Sequence, residues 1–324
     1  MSFSERLILQ TTQSTAITSI EHVQTLWSGY GAIKRYHLAG GKHKSVIVKH
    51  IQLPEANKHP KGWNTDLSHQ RKLKSYEVET AWYQHYAQLT NEDCKVPQLL
   101  HAEVSGNERL LIMEDLNALG FNERLSPETV SIAAAKNCLS WLACFHANFM
   151  HTTPKGLWEI GTYWHLDTRP DELVKMQNIP LQQAATAIDQ KLNSANYQTL
   201  VHGDAKLANF CFDKSHQVAA VDFQYVGKGC GMKDVAYFIS SCFDEDECEQ
   251  YEEELLTYYF STLEAALEKS SHDIDFLSLK QEWSHLYKYA WADFYRFLDG
   301  WSPSHWKMHG YSERLTQEVL KELN

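Results

Sequence analysis

Two carboxylates and an amide lie in two short segments of the second half of the chain, and their spacing is typical of phosphoryl-transfer chemistry. The first segment reads HGDAKLANF and places Asp204 five residues before Asn209; the second reads VDF and contains Asp222. Phosphoryl transfer needs a carboxylate beside the attacking hydroxyl and hard oxygen ligands for the magnesium that neutralises the phosphates. We therefore predict that Asp204 orients and deprotonates a substrate hydroxyl, and that Asn209 and Asp222 bind Mg²⁺.

Other residue roles in these segments have alternatives. Lys206 either neutralises the transferring phosphoryl group, which would make it catalytic, or forms an ordinary surface salt bridge. His202 is expected to be structural and to hydrogen-bond backbone around the metal loop, because Asp204 is the better candidate base. Asp and Asn also favour turns, so the alternative for Asp204, Asn209 and Asp222 is a purely local turn role.

The elements that precede these segments predict a small α+β lobe. Residues Ala32–Leu38 and Ser45–Ile51 alternate or are β-branched, and Gly40-Gly41 between them suits a turn, so a β-hairpin is predicted. Ser75–Leu89 has helical apolar spacing, and the continuous apolar run Arg109–Met113 predicts a buried strand.

From Ser126 onward the pattern predicts a mainly helical lobe. Ser126 is expected to N-cap a buried helix that has Pro127 as its first residue. Short apolar pieces between Leu200 and Phe223 carry the two chemical segments, and helical periodicity returns over Tyr251–Glu268 and Phe276–Leu298. The second lobe is therefore predicted to be helical with a small β-rich insertion.

The composition indicates a folded protein for which nucleic acid is a poor partner. The 324 residues include 30 Lys and Arg against 41 Asp and Glu, which gives a net charge of −11 that repels polyanions. The acidic run Asp244–Glu254 is expected to be a solvated helix N-terminus and not a metal site. The N-terminal segment lacks a secretory signal, no apolar run approaches the length of a membrane span, and the seven cysteines suit reduced core thiols. A cytoplasmic protein of undetermined oligomeric state is expected.

The HGDAKLANF and VDF segments resemble the catalytic-loop and metal-loop motifs of the aminoglycoside phosphotransferase and choline kinase-like superfamily, distant relatives of the protein kinases. SYEVETAWY, LLIMEDL and GMKDVAYFI resemble most the ecdysteroid-kinase-like (CHK kinase-like) branch, and the resemblance covers roughly Gly29 to Trp306. It implies a bilobal protein-kinase-like α+β fold, with a small N-terminal antiparallel sheet and one helix, a larger helical C-terminal lobe, and ATP between the lobes. We accordingly predict a nucleotide-binding lobe at residues 1–116 and a catalytic and acceptor-binding lobe at residues 117–324.

The resemblance also implies how the first lobe holds ATP. Lys49, in VIVKH, would hold the α- and β-phosphates. A buried lysine needs a counter-charge, and the following helix offers Glu77 or Glu79, of which Glu79 matches the family register better.

Two further roles follow from the resemblance. Met113 to Leu116 resembles the interlobe hinge, where the backbone of Glu114 and Leu116 would hydrogen-bond the adenine edge. Asp234 is expected to cap the helix that follows Gly231 and to brace the catalytic loop.

Two segments of the first lobe have no settled role. The segment Trp27–Gly31 lacks the GxGxxG pattern, which leaves the contacts of a phosphate-covering loop undefined. The segment Lys58–Lys74 carries five Lys and Arg against one Asp, and it either steers ATP or is a solvated loop.

The acceptor is the least determined part of the prediction. Aromatic residues near the end of the chain, with one carboxylate, would bind a cationic amine, line a site for a sterol-like alcohol, or simply pack in the core; they are Trp283, Trp291, Asp293, Tyr295, Trp301 and Trp306. We expect an ATP- and Mg²⁺-dependent kinase acting on a small-molecule hydroxyl, choline-like, sterol-like or aminoglycoside-like. The alternative is a catalytically silent nucleotide-binding or interaction protein on the same scaffold, and a protein kinase is a third, weaker one.

Overall fold

The computed structural model describes residues 2–26, 29–53, 66–270 and 272–323, which fall into two compact units. Unit 1 comprises Met1–Asn91, Lys95–Glu123 and Cys211–Val221, and unit 2 comprises Glu92–Cys94, Arg124–Phe210 and Asp222–Asn324. The units therefore interleave along the sequence, whereas the predicted lobes, 1–116 and 117–324, are continuous. The assignment of one function to each of those lobes stays a prediction.

Unit 1 is built on a five-stranded antiparallel sheet in the order β1-β2-β3-β5-β4. Its strands are β1 (Ala16–Thr25), β2 (Gly31–Ala39), β3 (Ser45–Gln52), β4 (Leu99–Ser105) and β5 (Glu108–Glu114). Strands β2, β3 and β5 and helix α1 (Phe3–Thr12) contribute the residues of one apolar cluster: Ile8, Tyr36, Leu38, Val46, Val48, Leu110 and Ile112. The predicted hairpin and the predicted buried strand are both confirmed.

Helix α2 (Asp66–His85) begins well before the predicted start at Ser75. Its first two turns are mostly polar, with only Leu67 and Leu73 apolar, so the apolar period becomes visible only at the buried Tyr76 and Val78. The basic segment Lys58–Lys74 therefore ends inside a helix, and its residues 58–65 lie outside the described residues, as do residues 27 and 28 of the predicted phosphate-covering tip.

Unit 2 is mainly helical. Its helices are α3 (Ile132–Asn148), α4 (Pro170–Lys175), α5 (Ile179–Asn193), α6 (Met232–Ser240), α7 (Glu245–Lys269), α8 (Phe276–Trp301) and α9 (Gly310–Leu323). Helix α3 packs on α7, and α8 is contacted by α4, α5, α6 and α9. None of the helices in the described ranges is long and apolar enough to cross a bilayer.

The start of α3 differs from the prediction. Ser131, and not Ser126, is the N-cap, and its hydroxyl accepts a hydrogen bond from the Ala134 N–H. Ser126 instead forms a local turn in which its N–H donates to Thr129 Oγ1 at 2.9 Å. Both serines suit a cap, but the continuous apolar face begins only after Ser131, so helix propagation selects the later one.

The acidic run is a helix N-terminus, as predicted. Asp244 is the N-cap of α7 and forms a capping box with Glu247. Among the described residues, no group of three or more His, Cys, Asp or Glu side chains is arranged to hold a metal ion. Negative charge in the first turn of α7 interacts favourably with the helix dipole.

Four short strands hold the loops that carry the predicted chemistry. Strand β6 (Thr199–Val201) pairs antiparallel with β9 (Gly227–Gly229), and β7 (Phe210–Phe212) pairs with β8 (Val218–Ala220). The HGDAKLAN segment follows β6, and Asp222 comes shortly after β8. The predicted short strands are thereby confirmed, but Cys211–Val221, which contains β8, belongs to unit 1 and not to the helical unit.

Candidate active site

The backbone of the loop after β6 is held by a buried carboxylate. Asp234 Oδ2 accepts from the His202 N–H at 2.6 Å, and Oδ1 accepts from the Gly203 N–H at 2.9 Å. Asp234 therefore braces the loop as predicted. It does not cap α6, because it lies within the first turn of that helix, whose N-cap Gly231 has no side-chain bond.

A histidine that sequence reasoning did not single out for this role completes the brace. His146 Nε2 lies 3.2 Å from Asp234 Oδ2, and His146 Nδ1 lies 2.7 Å from the Tyr259 hydroxyl. All three side chains are buried. These three residues lie on α3, α6 and α7 and are separated by more than a hundred positions along the chain, so no local sequence pattern could reveal their hydrogen bonds. The only available signal was a histidine on the buried face of α3.

Gly203 is required by the close approach of another segment. Its φ is +77°, and a Cβ there would lie 2.1 Å from the carbonyl oxygen of Tyr225. Any other residue would therefore force the loop away from its neighbour.

Asp204 is buried and receives three side-chain hydrogen bonds. Its Oδ1 accepts from the Tyr237 hydroxyl at 3.2 Å, and its Oδ2 accepts from Lys206 Nζ at 3.0 Å and Asn209 Nδ2 at 3.1 Å. Burial raises the pKa of Asp204 above its ordinary value; the Lys206 charge opposes this, and the Asp222 charge adds to it. A raised pKa increases the basicity of the carboxylate, as a general base requires.

Lys206 forms a salt bridge, and its partner is the predicted base itself. Burial lowers its pKa, but the charge and hydrogen bond of Asp204 outweigh burial, so the pKa of Lys206 lies above its ordinary value. Its side chain remains 40% exposed. Lys206 is therefore a permanent cation with access to solvent beside Asp204.

The side-chain amide of Asn209 is oriented by Asp204. Asn209 Nδ2 donates to the Asp204 carbonyl oxygen at 2.7 Å as well as to the carboxylate. No donor among the described residues hydrogen-bonds Asn209 Oδ1, which leaves this hard oxygen available to a cation. The preceding backbone is fixed by the Leu207 N–H, which donates to Ser241 Oγ at 2.8 Å.

Asp222 occupies an unusual backbone conformation. Its φ of 69° lies in the left-handed region, which costs free energy for a residue other than glycine. Its charge raises the pKa values of both Asp204 and Lys206, which places its carboxylate within their electrostatic reach. With Asn209 it supplies two hard oxygen donors, which fit Mg²⁺ because that ion takes one or two protein oxygens and fills its remaining positions with phosphates and water.

In unit 1, Lys49 and Glu79 form a buried ion pair. Lys49 lies on β3, and its Nζ donates to Glu79 Oε1 at 2.8 Å and Oε2 at 2.6 Å. Lys49 is 3% exposed and Glu79 is 2% exposed. Glu77 instead lies 3.4 Å from Arg109, with its side chain 51% exposed. The geometry thus selects Glu79 between the two carboxylates that the sequence left open.

The predicted hinge, Met113 to Leu116, begins within the buried strand β5, whose last two residues are Met113 and Glu114. The Glu114 N–H donates to the Gln98 carbonyl oxygen at 3.0 Å, and the Gln98 N–H donates to Glu114 Oε2 at 3.2 Å. This segment is thereby anchored to the chain just before β4.

Asp115, which sequence reasoning missed, fastens the same segment to the sheet. Its Oδ2 accepts from Arg35 Nε at 2.7 Å and from Ser45 Oγ at 2.6 Å. The carboxylate is buried, so these two charge-assisted bonds are expected to fix the backbone on either side of it.

Two of the five aromatic residues proposed for the acceptor are core residues. Trp283 and Trp291 are buried, and the buried Asp293 pairs with Arg296 at 2.8 Å and accepts from Trp164 Nε1 at 3.0 Å. Asp293 is therefore not available as a counter-ion for a cationic acceptor. Trp301 and Trp306 are about half exposed and remain candidates.

Comparison with known proteins supports the resemblance predicted from the motifs. A model of the ecdysteroid kinase-like family matches residues 148–272, which include Asp204, Lys206, Asn209 and Asp222. No curated protein matches the chain.

Three solved structures that share this fold are small-molecule kinases by name. A choline kinase from Cryptosporidium parvum Iowa II superposes with a TM-score of 0.53 at 11% identity, covering 99% of this chain and 95% of that one. The aminoglycoside phosphotransferase APH(4)-Ia gives 0.51 at 10% identity, with 98% and 97% covered. A thermostable mutant of APH(4)-Ia in complex with ADP and hygromycin B gives 0.50 at 10% identity, with 99% and 98% covered. At these identities the likeness establishes the kinase-like α+β fold, as predicted.

Proposed function

We propose that this protein is an ATP- and Mg²⁺-dependent phosphotransferase that transfers the γ-phosphoryl group to a hydroxyl of a small molecule. The observation that carries the proposal is the loop after β6. There Asp204 is a buried carboxylate of raised pKa, and Asn209 donates both amide contacts to Asp204 and keeps its oxygen available. The same loop also holds a cation, Lys206, on Asp204.

The roles of unit 2 follow from this geometry. Asp204 accepts the proton of the attacking hydroxyl, and Tyr237 and Asn209 hold its carboxylate in place. Lys206 Nζ shifts slightly from Asp204 and contacts the negative oxygens of the phosphoryl group. Asn209 and Asp222 would hold Mg²⁺, which when bound neutralises phosphate charge.

Unit 1 would hold the nucleotide. Lys49, oriented by Glu79, is the ligand proposed for the α- and β-phosphates. For the adenine edge we propose the Glu114 carbonyl oxygen and the Leu116 N–H, with Met113 preceding them. The Glu114 N–H is already used by Gln98, so the carbonyl is the group this residue can offer.

The relatives support the reaction class and leave the acceptor open. The matched family is described as ecdysteroid kinase-like, and the superposed structures are a choline kinase and an aminoglycoside phosphotransferase. A choline-like amino alcohol, a sterol-like alcohol and an aminoglycoside-like compound are therefore all candidate acceptors. The competing proposal is a silent nucleotide-binding protein, which would keep Lys49 and Glu79 but would not need the arrangement around Asp204.

The test is ATP consumption with Mg²⁺ across choline, ethanolamine, an aminoglycoside, sugars and sterol alcohols, with Asp204→Asn beside the wild type. One acceptor should raise turnover by the wild type alone. ATP binding measured by a melting shift, with no Mg²⁺-dependent phosphate release under any condition, would favour the silent protein.

A further inference from the structure

Lys307, in the segment between α8 and α9, lies among aromatic rings. Its Nζ is 4.6 Å from the ring centroid of Tyr237, 5.4 Å from that of Phe294 and 5.6 Å from that of Trp306. The residue is 8% exposed. Several ring faces around one ammonium group are the arrangement with which proteins bind cationic ligands, so the protein's own lysine occupies an aromatic cage.

Lys307 differs from two other buried cations, Lys49 and Arg296, in what faces it. Lys49 is paired with Glu79, and Arg296 is paired with Asp293. Within the described part of the chain, Lys307 Nζ has neither a carboxylate oxygen within salt-bridge distance nor a hydrogen-bond acceptor. Burial lowers the pKa of Lys307 to about 8, so at neutral pH it is mainly a cation whose three N–H donors have no acceptor among the residues that the structure describes.

The cage adjoins the catalytic loop. Tyr237, whose ring faces Lys307, donates its hydroxyl to Asp204 at 3.2 Å. The ring of Trp306, which also contacts Lys307, is followed by those of His305 and Trp301 with centroids 6.0 and 6.1 Å apart, and both tryptophans are about half exposed. Lys307 therefore contacts both a residue that hydrogen-bonds the proposed base and an accessible aromatic surface.

Resting on the proposed function, we propose that Lys307 is the residue that determines acceptor specificity. Its ammonium group fills the aromatic cage, excludes cationic head groups by like charge and by volume, and donates to an oxygen of the acceptor, most strongly when that oxygen is anionic. Choline-like and aminoglycoside-like acceptors are thereby disfavoured. The favoured class is a hydroxyl compound that is neutral or anionic and presents an oxygen to Lys307.

The first test uses tetramethylammonium as a probe of the cage in calorimetric titrations at pH 7. Lys307→Ala empties the cage and should bind tetramethylammonium at least tenfold more tightly than the wild type does. Lys280→Ala is the matched control, because Lys280 is exposed and its Nζ lies 6.0 Å from the Phe260 ring; it should behave as the wild type. Equal affinities of the wild type and Lys307→Ala, including no binding by either, would overturn the proposal.

The second test measures binding of an anionic ligand and uses a Lys307 variant that preserves the packing around the side chain. Lys307→Met has nearly the same length and removes a buried charge, so it should fold at least as well as the wild type. The wild type should bind isethionate, a small hydroxyl-bearing sulfonate, at least tenfold more tightly than Lys307→Met, and Lys307→Arg should recover part of the difference. Equal isethionate affinity would overturn the proposal.

Neither titration contains ATP or measures transfer. If the titrations contradict the role of Lys307, the phosphotransferase proposal is therefore unaffected. The absence of an ATP·Mg²⁺ melting shift would count against the phosphotransferase proposal and not against the binding predicted for the cage.

Discussion

Two glutamates on one helix provide a matched test of the buried ion pair in unit 1. Glu79 is buried and bonds Lys49 Nζ through both carboxylate oxygens at 2.8 and 2.6 Å. Glu77, two residues earlier on α2, lies 3.4 Å from Arg109 and is half exposed. Glu79→Gln would leave the ammonium group of Lys49 buried without a counter-charge, whereas Glu77→Gln would break a pair that water already screens.

The magnitudes expected for the two substitutions differ clearly. Breaking a buried pair by removing one partner typically costs about 3–5 kcal/mol of unfolding free energy, whereas an exposed pair contributes about 0–1 kcal/mol. Urea denaturation at pH 7, followed by far-UV circular dichroism, should therefore show a large loss for Glu79→Gln and almost none for Glu77→Gln. Similar losses in both variants would refute the assignment of Glu79 as the structural partner of Lys49.

The double variant Lys49→Met/Glu79→Leu separates stability from function. Replacing both charges by apolar groups of similar volume removes the desolvation cost together with the attraction, so its stability should return close to that of the wild type. Its ATP-dependent melting shift should nevertheless be absent, because the proposed phosphate ligand is gone. A normal ATP shift in this variant would remove Lys49 from the nucleotide site.

Three further predictions concern the loops of unit 2. The pKa of Asp204 is raised in the folded state, so between its ordinary value of 3.8 and the raised value the folded protein holds a proton that the unfolded chain has released, and stability falls as pH rises through that window. Asp204→Asn should therefore gain in melting temperature relative to the wild type as pH rises from 3.8; parallel curves would contradict this. Asp222→Gly should raise the unfolding free energy by about 1 kcal/mol, because glycine relieves the left-handed φ, and should abolish Mg²⁺-dependent turnover; an unchanged midpoint in urea would show that the backbone is not strained. Gly203→Ala should cost more than about 2 kcal/mol because of the approach of the Tyr225 carbonyl, whereas Gly106→Ala, also at positive φ but in open space, isolates the cost of φ alone; equal losses in thermal melts would rule out the steric contact.

Local periodicity predicted the elements whose apolar pattern is complete. Strands β2, β3 and β5 have runs of buried or alternating residues, and their predicted positions agree with the structure to within one residue at most ends. The predicted start of α2 was wrong because its first turns are mostly polar and present no continuous apolar face. The start of α3 was wrong because Ser126 and Ser131 are both good caps, and only the extent of the buried face decides between them.

The HGDAKLANF segment could be recognised from the sequence because its functional residues lie close together along the chain. Asp204 and Asn209 are five residues apart, and that spacing is itself the signal. His146, Asp115 and Tyr237 escaped because each acts on residues far away along the chain. Tyr237 had one usable signal, since it stands three residues after Asp234 on α6 and therefore shares its face.

Lys307 could not be identified from the sequence for a different reason. It lies in a short segment without helical or strand periodicity, and two of the three rings around it, Tyr237 and Phe294, are contributed by α6 and α8. A lysine in such a segment is ordinarily solvent-exposed. Only the packing of those helices shows that this one is buried.

The central claim is tested most directly by transfer of the labelled γ-phosphoryl group from ATP to an alcohol in the presence of Mg²⁺, comparing the wild type with Asp204→Asn. The account predicts transfer by the wild type and a loss of at least about 100-fold in the variant, with both proteins equally folded and both showing an ATP-dependent melting shift. Transfer by Asp204→Asn at the wild-type rate would contradict the role of Asp204 as the base.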